Sequence, residues 1–191
     1  FHRVRGNAHM TRIAVNTAPE GFFFAHALAG VGSVQRFQQS ALDAHVFSAD
    51  PPDILFVSIA VLLAVDVPFD PLPWPIASSR GAGPVLAGRS LISLDQLLGH
   101  KTATPGPSMT ETLAANTLLP SFQEVVIDDR PILSAIVSSE VDAGILWDHA
   151  QCDMAASGLV LLDDIGARFA KYQDGLPLPL RCVAIRRDAP A

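Results

Sequence analysis

The sequence predicts an α/β fold, because the chain repeatedly alternates between strand-like and helix-like segments. Short apolar runs of four or five residues recur along the 191-residue chain, and helix-start signals follow several of them. Hydrophobic residues make up 49% of the chain and charged residues 17%, which provides enough apolar surface for a core and argues against disorder. Alternating strands and helices form βαβ units, so we expect mostly parallel sheets with covered faces.

The first half of the chain alternates in this way up to a proline-rich segment. A helix over residues 37–46 is predicted to place Gln38, Gln39 and Asp43 in water. Residues 68–75 contain four prolines and are predicted to be a loop or an edge strand, because proline cannot donate to a sheet ladder. The other elements expected here are a strand at 12–15, a helix at 22–28, a strand at 53–57 and a helix that starts at Ser58.

Residues 76–88 are predicted to form a strand that bends or crosses between lobes, since three glycines and a proline lie among apolar residues. The spacing of these glycines is not that of a phosphate-binding loop. Arg181, Arg186 and Arg187 are expected on the exposed face or end of the last strand. The second half is predicted to contain helices at 93–98 and 131–138 and strands at 123–127, 143–147, 159–162 and 180–187.

The segment from Lys101 to Leu119 combines a short strand, a Pro-Gly turn and a helix start. Ser108, with Glu111 three residues later, has the pattern of a capping box, in which both side chains accept hydrogen bonds from backbone N–H groups of the first turn. Free N–H groups at a helix start also attract anions. The segment is therefore either a candidate anion site or simply a well-capped helix.

Polar residues directly follow two of the predicted strands. Ser58 comes after the strand at 53–57, at the sheet edge where open α/β folds bind ligands, although an ordinary helix cap is an equal alternative. Asp148 and His149 follow the strand that ends at Trp147. A carboxylate beside an imidazole can supply a general base, whereas a solvent-exposed pair is the alternative.

Charge and composition limit the possible partners. The net charge is −6 and the basic residues are scattered, so neither nucleic acid nor an anionic membrane surface is an expected partner, and a small molecule remains. No apolar run is long enough to span a bilayer. Cys152 and Cys182 lack the spacing of a zinc site or a disulfide framework. Residues 1–10 are expected to be a tag or a disordered lead without a secretory signal, which predicts a cytoplasmic protein, although a cleaved signal would leave no trace.

Five segments between residues 11 and 188 together resemble a known family. They are DILFVSIA at 53–60, GAGPVLAG at 81–88, TPGPSMTET at 104–112, VDAGILWDH at 141–149, and GARFAKYQDGLPLPLRCVAIRRD at 166–188. The string GLPLPL is the most specific of them. These segments resemble the 1,4-dihydroxy-6-naphthoate synthases of the futalosine route to menaquinone, a branch of the type II periplasmic-binding-protein fold.

The resemblance implies two α/β lobes joined by two crossover strands, with a ligand cleft between them. The expected limits are residues 11–85 with 176–191 for lobe I and 86–175 for lobe II. The family enzyme cleaves cyclic dehypoxanthinyl futalosine to 1,4-dihydroxy-6-naphthoate, with a histidine as proton acceptor and without a metal or redox cofactor. Family members continue with helices that pack on the first lobe, so three alternatives are open: further residues follow here, a partner chain in a homodimer completes lobe I, or the protein is a shortened relative.

The resemblance also implies site residues. Asp148 occupies the position of the family's catalytic histidine and His149 lies one residue later, so the expected proton acceptor is His149 or Asp148. Because a one-residue slip on a strand end turns a side chain to the other side, His149 would need a local bulge. The expected substrate contacts are Ser58, Ser108, Met109, Thr110, Val57, Phe56 and Asn16.

This chain departs from the family at several of these positions. Phe56 replaces a lysine, and Met109 replaces one of two threonines at the helix start. Glu111 stands where the family usually has a small apolar residue, and its charge is expected to compete with a substrate carboxylate at that helix start. Two hypotheses follow: a lyase of the naphthoate synthase type, and a non-catalytic small-molecule binder that uses the same cleft.

Overall fold

A computed structural model of the chain describes residues 10–17, 25–27, 29–64, 66–79, 83–128, 130–147 and 149–189, and of these it leaves out the side chains of residues 16, 40, 64, 74–77 and 149. The strands are β1 (Arg12–Asn16), β2 (Ser33–Phe37), β3 (Ile54–Ser58), β4 (Phe69–Ser79), β5 (Val85–Gly88), β6 (Lys101–Thr104), β7 (Gln123–Val126), β8 (Ala143–Leu146), β9 (Val160–Asp164) and β10 (Leu178–Arg186). The α-helices with described bounds are α1 (Gln39–Ala44), α2 (Ile59–Ala64), α3 (Thr110–Leu118), α4 (Ile132–Val137), α5 (His149–Asp153) and α6 (Ile165–Tyr172), and short 3₁₀ helices cover His45–Phe47 and Leu94–Gly99.

The strands form two sheets, one in each lobe. In lobe I the strand order is β2-β1-β3-β10-β4, and in lobe II it is β7-β6-β8-β5-β9. The predicted α/β class is confirmed, but the expectation of mostly parallel sheets is wrong. In each sheet the first three strands in this order pair in parallel, whereas the other two pairings are antiparallel. In lobe I, the chain leaves the sheet through β4 and returns to it through β10. Because β10 runs back in the opposite direction, these two neighbouring strands are antiparallel.

Most predicted elements of lobe I occur where the sequence placed them. β3 is central in its sheet and nearly continuously buried, which explains its uninterrupted apolar sequence. The proline-rich segment is an edge strand, β4, which pairs only with β10 among the described strands. The structure differs from the prediction at two places. It contains β2, which the sequence did not predict, and the helix expected over residues 37–46 begins only at Gln39. The expected helix at 22–28 lies mostly outside the described residues.

The two connections between the lobes lie side by side. Ser79 at the end of β4 pairs with Leu178 at the start of β10, so the outgoing and returning chains are neighbours. Gly166 packs directly against this crossing, since an added Cβ would lie 2.2 Å from both the Gly83 carbonyl oxygen and Ser79 Oγ. The Gly83 N–H also donates to Asp164 Oδ1 at 3.0 Å. These contacts fix the start of α6 to the crossing, while the predicted lobe limits remain a prediction.

Lobe I contains one hydrophobic cluster, and lobe II contains two, one of which also takes in Leu178 and Leu180 of β10. The core of lobe I contains Ile13, Leu55 and Phe56 among other fully buried residues. In lobe II, alternate residues of β5 point to opposite faces, so Leu86 and its neighbour Ala87 belong to separate clusters on the two sides of the sheet. Cys182 is buried and Cys152 exposed, and both are free thiols. None of the helices in the described part of the chain is long and apolar enough to cross a membrane.

Candidate functional site

A cavity of about 220 Å³ lies in the cleft between the two lobes. Lobe I lines it with Gln38, Gln39 and Arg181, which come from the start of α1 and from β10. Lobe II lines it with Met109 and Glu111, at the start of α3, among other residues. The lining therefore joins charged and amide side chains from both lobes.

The remaining walls come from lobe II and are mixed in character. Ile132, Ile145 and Leu146 form an apolar side. Asp128 and Arg130 line the cavity as well, and Arg130 forms an ion pair with Glu140. Trp147 also lines the cavity, and its indole N–H is buried without a hydrogen-bond partner among the residues that the structure describes. Pro105, Ile127 and Ala150 complete the lobe II side of the lining.

Two hydroxyl groups, on Ser58 and Thr110, also connect the lobes. Ser58 Oγ accepts a hydrogen bond from the Thr110 N–H at 2.9 Å and lies 2.9 Å from Thr110 Oγ1. Thr110 Oγ1 donates to the Leu180 carbonyl at 2.9 Å and accepts from the Ala60 N–H at 3.1 Å. Because the single Thr110 hydroxyl proton goes to Leu180, Ser58 must be the donor between the two hydroxyls. Ser58 thus caps the first turn of α3 from the opposite lobe.

An ion pair lies beside this hydroxyl contact and also joins the lobes. Arg181 Nη2 donates to Glu111 Oε1 at 2.8 Å, and the two side chains are only 5% and 2% exposed. Arg181 Nε donates to Gln39 Oε1 at 3.2 Å. Arg181 is the cross-strand partner of Ser58, and Glu111 follows Thr110 in sequence. Two neighbouring positions in lobe I therefore meet two consecutive positions at the start of α3.

Asp43 links the hydroxyl contact of Ser58 to the ion pair of Arg181, through Gln39. Its Oδ1 accepts from the Ser58 N–H at 3.0 Å and from Gln39 Nε2 at 2.8 Å. Burial raises the pKa of Asp43 to about 6, and the hydrogen bonds from Ser58 and Gln39 and the charge of Arg181 only partly offset that rise. Asp43, Gln39, Arg181, Glu111, Thr110 and Ser58 thus form a closed ring of interactions across both lobes.

The ring corrects three expectations from the sequence. Ser108 and Glu111 do not form a capping box: the N-cap residue of α3 is Met109, without a side-chain cap, and Glu111 turns to Arg181 instead. Arg181 is buried rather than exposed, because Glu111 compensates its charge and Gln39 accepts a hydrogen bond from its Nε. Asp43 is 1% exposed and does not face water.

The expected substrate contacts lie in different environments. Met109 lines the cavity, whereas Ser58 and Thr110 are buried and bonded to each other. The buried core of lobe I contains Phe56 and Val57. Ser108 is partly buried, and the side chain of Asn16 lies outside the described residues. Their contact with a ligand stays a prediction.

The side chains of the two expected proton acceptors lie outside the described residues. Asp148 is outside the described residues, and His149 is described only as the first residue of α5. Trp147 and Ala150, the residues on either side of them, both line the cavity. The described residues on either side of the two candidates therefore border the cleft.

Sequence reasoning missed Gln39, Asp43 and Arg181 as part of the site. A signal was present in each case. Gln39 and Asp43 are four residues apart, so they lie on one face of α1 and bond each other. Arg181 interrupts the apolar run of β10, and a charged residue within a buried strand requires a partner. Its partner, Glu111, is 70 residues away.

Comparison with known proteins gives a consistent assignment. The model of a protein family described as menaquinone biosynthesis matches residues 11–191. Two curated relatives, both named 1,4-dihydroxy-6-naphtoate synthase, are 32% identical over 112 residues in Thermus thermophilus and 33% identical over 147 residues in Streptomyces coelicolor. The alignments cover 59% and 73% of this chain, but 40% and 51% of the relatives. The chain therefore spans about half the length of these relatives.

Solved structures agree on the architecture. Protein AF1704 from Archaeoglobus fulgidus superposes with a TM-score of 0.86 at 26% identity, over 97% of this chain and 71% of that one. The periplasmic aliphatic sulphonate binding protein SsuA from Escherichia coli superposes with a TM-score of 0.58 at 17% identity, over 93% and 65% of the two chains, and so shows the fold alone. The expected two-lobed periplasmic-binding-protein-like fold is confirmed. Because the family model covers nearly its whole length, this chain belongs to the menaquinone biosynthesis family.

Proposed function

We propose that the protein is a lyase of the 1,4-dihydroxy-6-naphthoate synthase type, which acts on cyclic dehypoxanthinyl futalosine by base-catalysed proton abstraction. The observation that carries the proposal is the interlobe cavity, whose wall includes Trp147 and Ala150 on either side of Asp148 and His149. The names of the two curated relatives support the same reaction. The substrate and the chemical step are proposals for this chain, as is its location in the cytoplasm.

His149 is the better proton acceptor of the two candidates. An imidazole with an ordinary pKa of about 6.5 is largely neutral at pH 7.5 and can accept a proton. An ordinary aspartate with a pKa near 3.9 is a much weaker base, unless burial raises its pKa. A positioned base contributes about 10²- to 10⁴-fold to the rate, so its loss should be readily measured.

The test is incubation of the purified protein with cyclic dehypoxanthinyl futalosine, with mass-spectrometric detection of 1,4-dihydroxy-6-naphthoate. We expect product from the parent protein, a loss of about 10²-fold or more in His149→Ala, and a smaller loss in Asp148→Ala. The reverse order of the two losses would assign the base to Asp148. Alanine variants as active as the parent would exclude both residues as the base.

The second candidate function is non-catalytic binding of a small molecule in the same cleft. The contact between Ser58 and Thr110 favours it, because two hydroxyls expected to hold the substrate are buried against each other and bond Leu180 and Ala60 as well. A ligand that binds the folded state raises the melting temperature. Thermal stabilisation by the futalosine compound without any product would support the binder and reject the lyase.

A further inference from the structure

The residues of the ring that line the cavity, Gln39, Arg181 and Glu111, are called here the floor of the cleft. Their charges determine which ligand group can bind there. Arg181 is 5% exposed in its side chain and lines the cavity. A buried guanidinium is a strong site for a carboxylate, because its N–H groups match the two carboxylate oxygens. A ligand carboxylate would therefore be expected to bind Arg181 if nothing else occupied that position.

In this chain Glu111 already occupies the position. Its Oε1 lies 2.8 Å from Arg181 Nη2, and both residues line the cavity. Asp43, which is 1% exposed, adds a second carboxylate to the same ring through Gln39. When both acids are ionised, the ring carries two negative charges and one positive charge. A third carboxylate would have to displace Glu111 from Arg181 or be buried beside two like charges, and both are unfavourable.

Glu111 also offers an acceptor. Arg181 bonds Oε1, whereas Oε2 is buried and has no hydrogen-bond partner among the described residues. A buried carboxylate oxygen without a donor is unfavourable, so a ligand donor that Oε2 reaches by a small turn of the Glu111 side chain toward the cavity is favoured over a group that can only accept. Hydroxyl and amide groups have the required donor and carry no charge.

We propose that Glu111 is a specificity residue that excludes carboxylates from the floor of the cleft and favours an uncharged hydrogen-bond donor there. The inference rests on the proposed function only in taking this cleft as the ligand site. It concerns binding alone, so it applies to a non-catalytic binder and also to a lyase, whose naphthoate product would then place its carboxylate elsewhere in the cleft. Its test therefore needs no turnover.

Benzoate and benzamide are suitable probes, because they have the same shape and differ in charge and in the donor group. Isothermal titration of each probe into the purified protein, at pH 8 and constant ionic strength, gives the ratio of the two affinities. In the parent protein benzamide should bind at least as tightly as benzoate. In Glu111→Gln, which keeps the shape and removes the charge, the ratio of benzoate to benzamide affinity should rise about tenfold or more, equivalent to 1.4 kcal/mol.

Two further variants separate this effect from general electrostatics. Asp128→Asn removes one negative charge from the same cavity at an exposed residue that makes no hydrogen bond to the ring among the described contacts, so it should change the ratio less than about twofold. Glu111→Gln combined with Arg181→Gln should lose the gain for benzoate, because the guanidinium is gone. If circular dichroism shows that Glu111→Gln does not fold, Glu111→Ala replaces it with the same expectation.

Several results would overturn the inference. These are a parent protein that prefers benzoate, a Glu111 variant whose ratio is unchanged or that binds no benzoate, and an Asp128→Asn variant that shifts the ratio as strongly as Glu111→Gln. Failure of the parent protein to convert the futalosine compound would reject the lyase but would leave this inference standing. The two proposals therefore fail on different measurements.

Discussion

Two contacts between the lobes occupy neighbouring positions and have different chemistry. Ser58 and Arg181 are cross-strand partners on β3 and β10, and they meet Thr110 and Glu111 at the start of α3. The hydroxyl contact is neutral, fully satisfied and absent from the cavity lining. The ion pair lines the cavity and leaves one carboxylate oxygen without a described partner. The first contact fixes the position of α3, and the second determines the charge that a ligand meets.

Breaking the ion pair should have the largest effect on stability. Arg181→Met leaves Glu111 as a buried carboxylate without its cation, and we expect the free energy of unfolding to fall by about 3–5 kcal/mol. Urea denaturation measures this loss. Arg181→Met with Glu111→Leu should recover most of it, since no buried charge then remains between them. The matched control Arg187→Met removes an exposed arginine and should leave the urea midpoint unchanged.

Asp43, which bonds both Ser58 and Gln39, makes the free energy of unfolding depend on pH. Its folded-state pKa of about 6 is above the ordinary value of 3.8, so the folded protein holds this proton more tightly than the unfolded chain. Stability from this group is therefore greatest below pH 4 and is lost as the pH rises through 6. Two pKa units correspond to roughly 3 kcal/mol.

The contribution of Asp43 can be isolated with Asp43→Asn. The difference in unfolding free energy between parent and variant should change by roughly 2.4 kcal/mol between pH 4 and pH 7.5, with the parent relatively weaker at the higher pH. Urea titrations at several pH values measure it. A constant difference across this range would show that Asp43 titrates normally.

The hydroxyl contact should respond less strongly than the ion pair. Thr110→Val keeps the shape and removes the hydroxyl, which leaves the Ala60 N–H and the Ser58 hydroxyl buried without their partner. We expect a loss of about 1–3 kcal/mol in urea unfolding. Thr110→Ser keeps the hydroxyl and loses one methyl group, so it should cost about 1 kcal/mol or less. Equal losses in both variants would mean that the methyl group, and not the hydroxyl, matters.

The smallest effect is expected at Ser108, which the capping-box pattern selected. An N-cap serine that bonds the first turn contributes about 1 kcal/mol. The structure has Met109 at the cap position, without a side-chain cap bond to α3. Ser108→Ala should therefore change the unfolding free energy by about 0.5 kcal/mol or less. A loss of 1 kcal/mol or more would show that Ser108 does cap α3, as the capping-box pattern predicted.

The sequence predicted elements well where the signal was local. The apolar run of β3, the prolines of an edge strand and the strand–turn–helix unit after Lys101 all rest on a few neighbouring residues, and the structure confirms them. The sequence predicted less where an element depends on residues far away along the chain or lacks a local pattern. β2 is an edge strand with two exposed residues, so its sequence lacks the apolar run that marks a buried strand. Antiparallel β10 depends on the return of the chain from lobe II, which no local pattern records.

Residues 101–119 show most clearly which features the sequence determines and which depend on the tertiary structure. By itself, the sequence determined that a strand, a turn and a helix follow one another here, because turn residues and apolar spacing act over only a few positions. Only the tertiary structure decided what Glu111 does. A capping box would have contributed about 1 kcal/mol, whereas burying Arg181 without a carboxylate would cost several times more. The ion pair across 70 residues therefore prevails over the local contact across three.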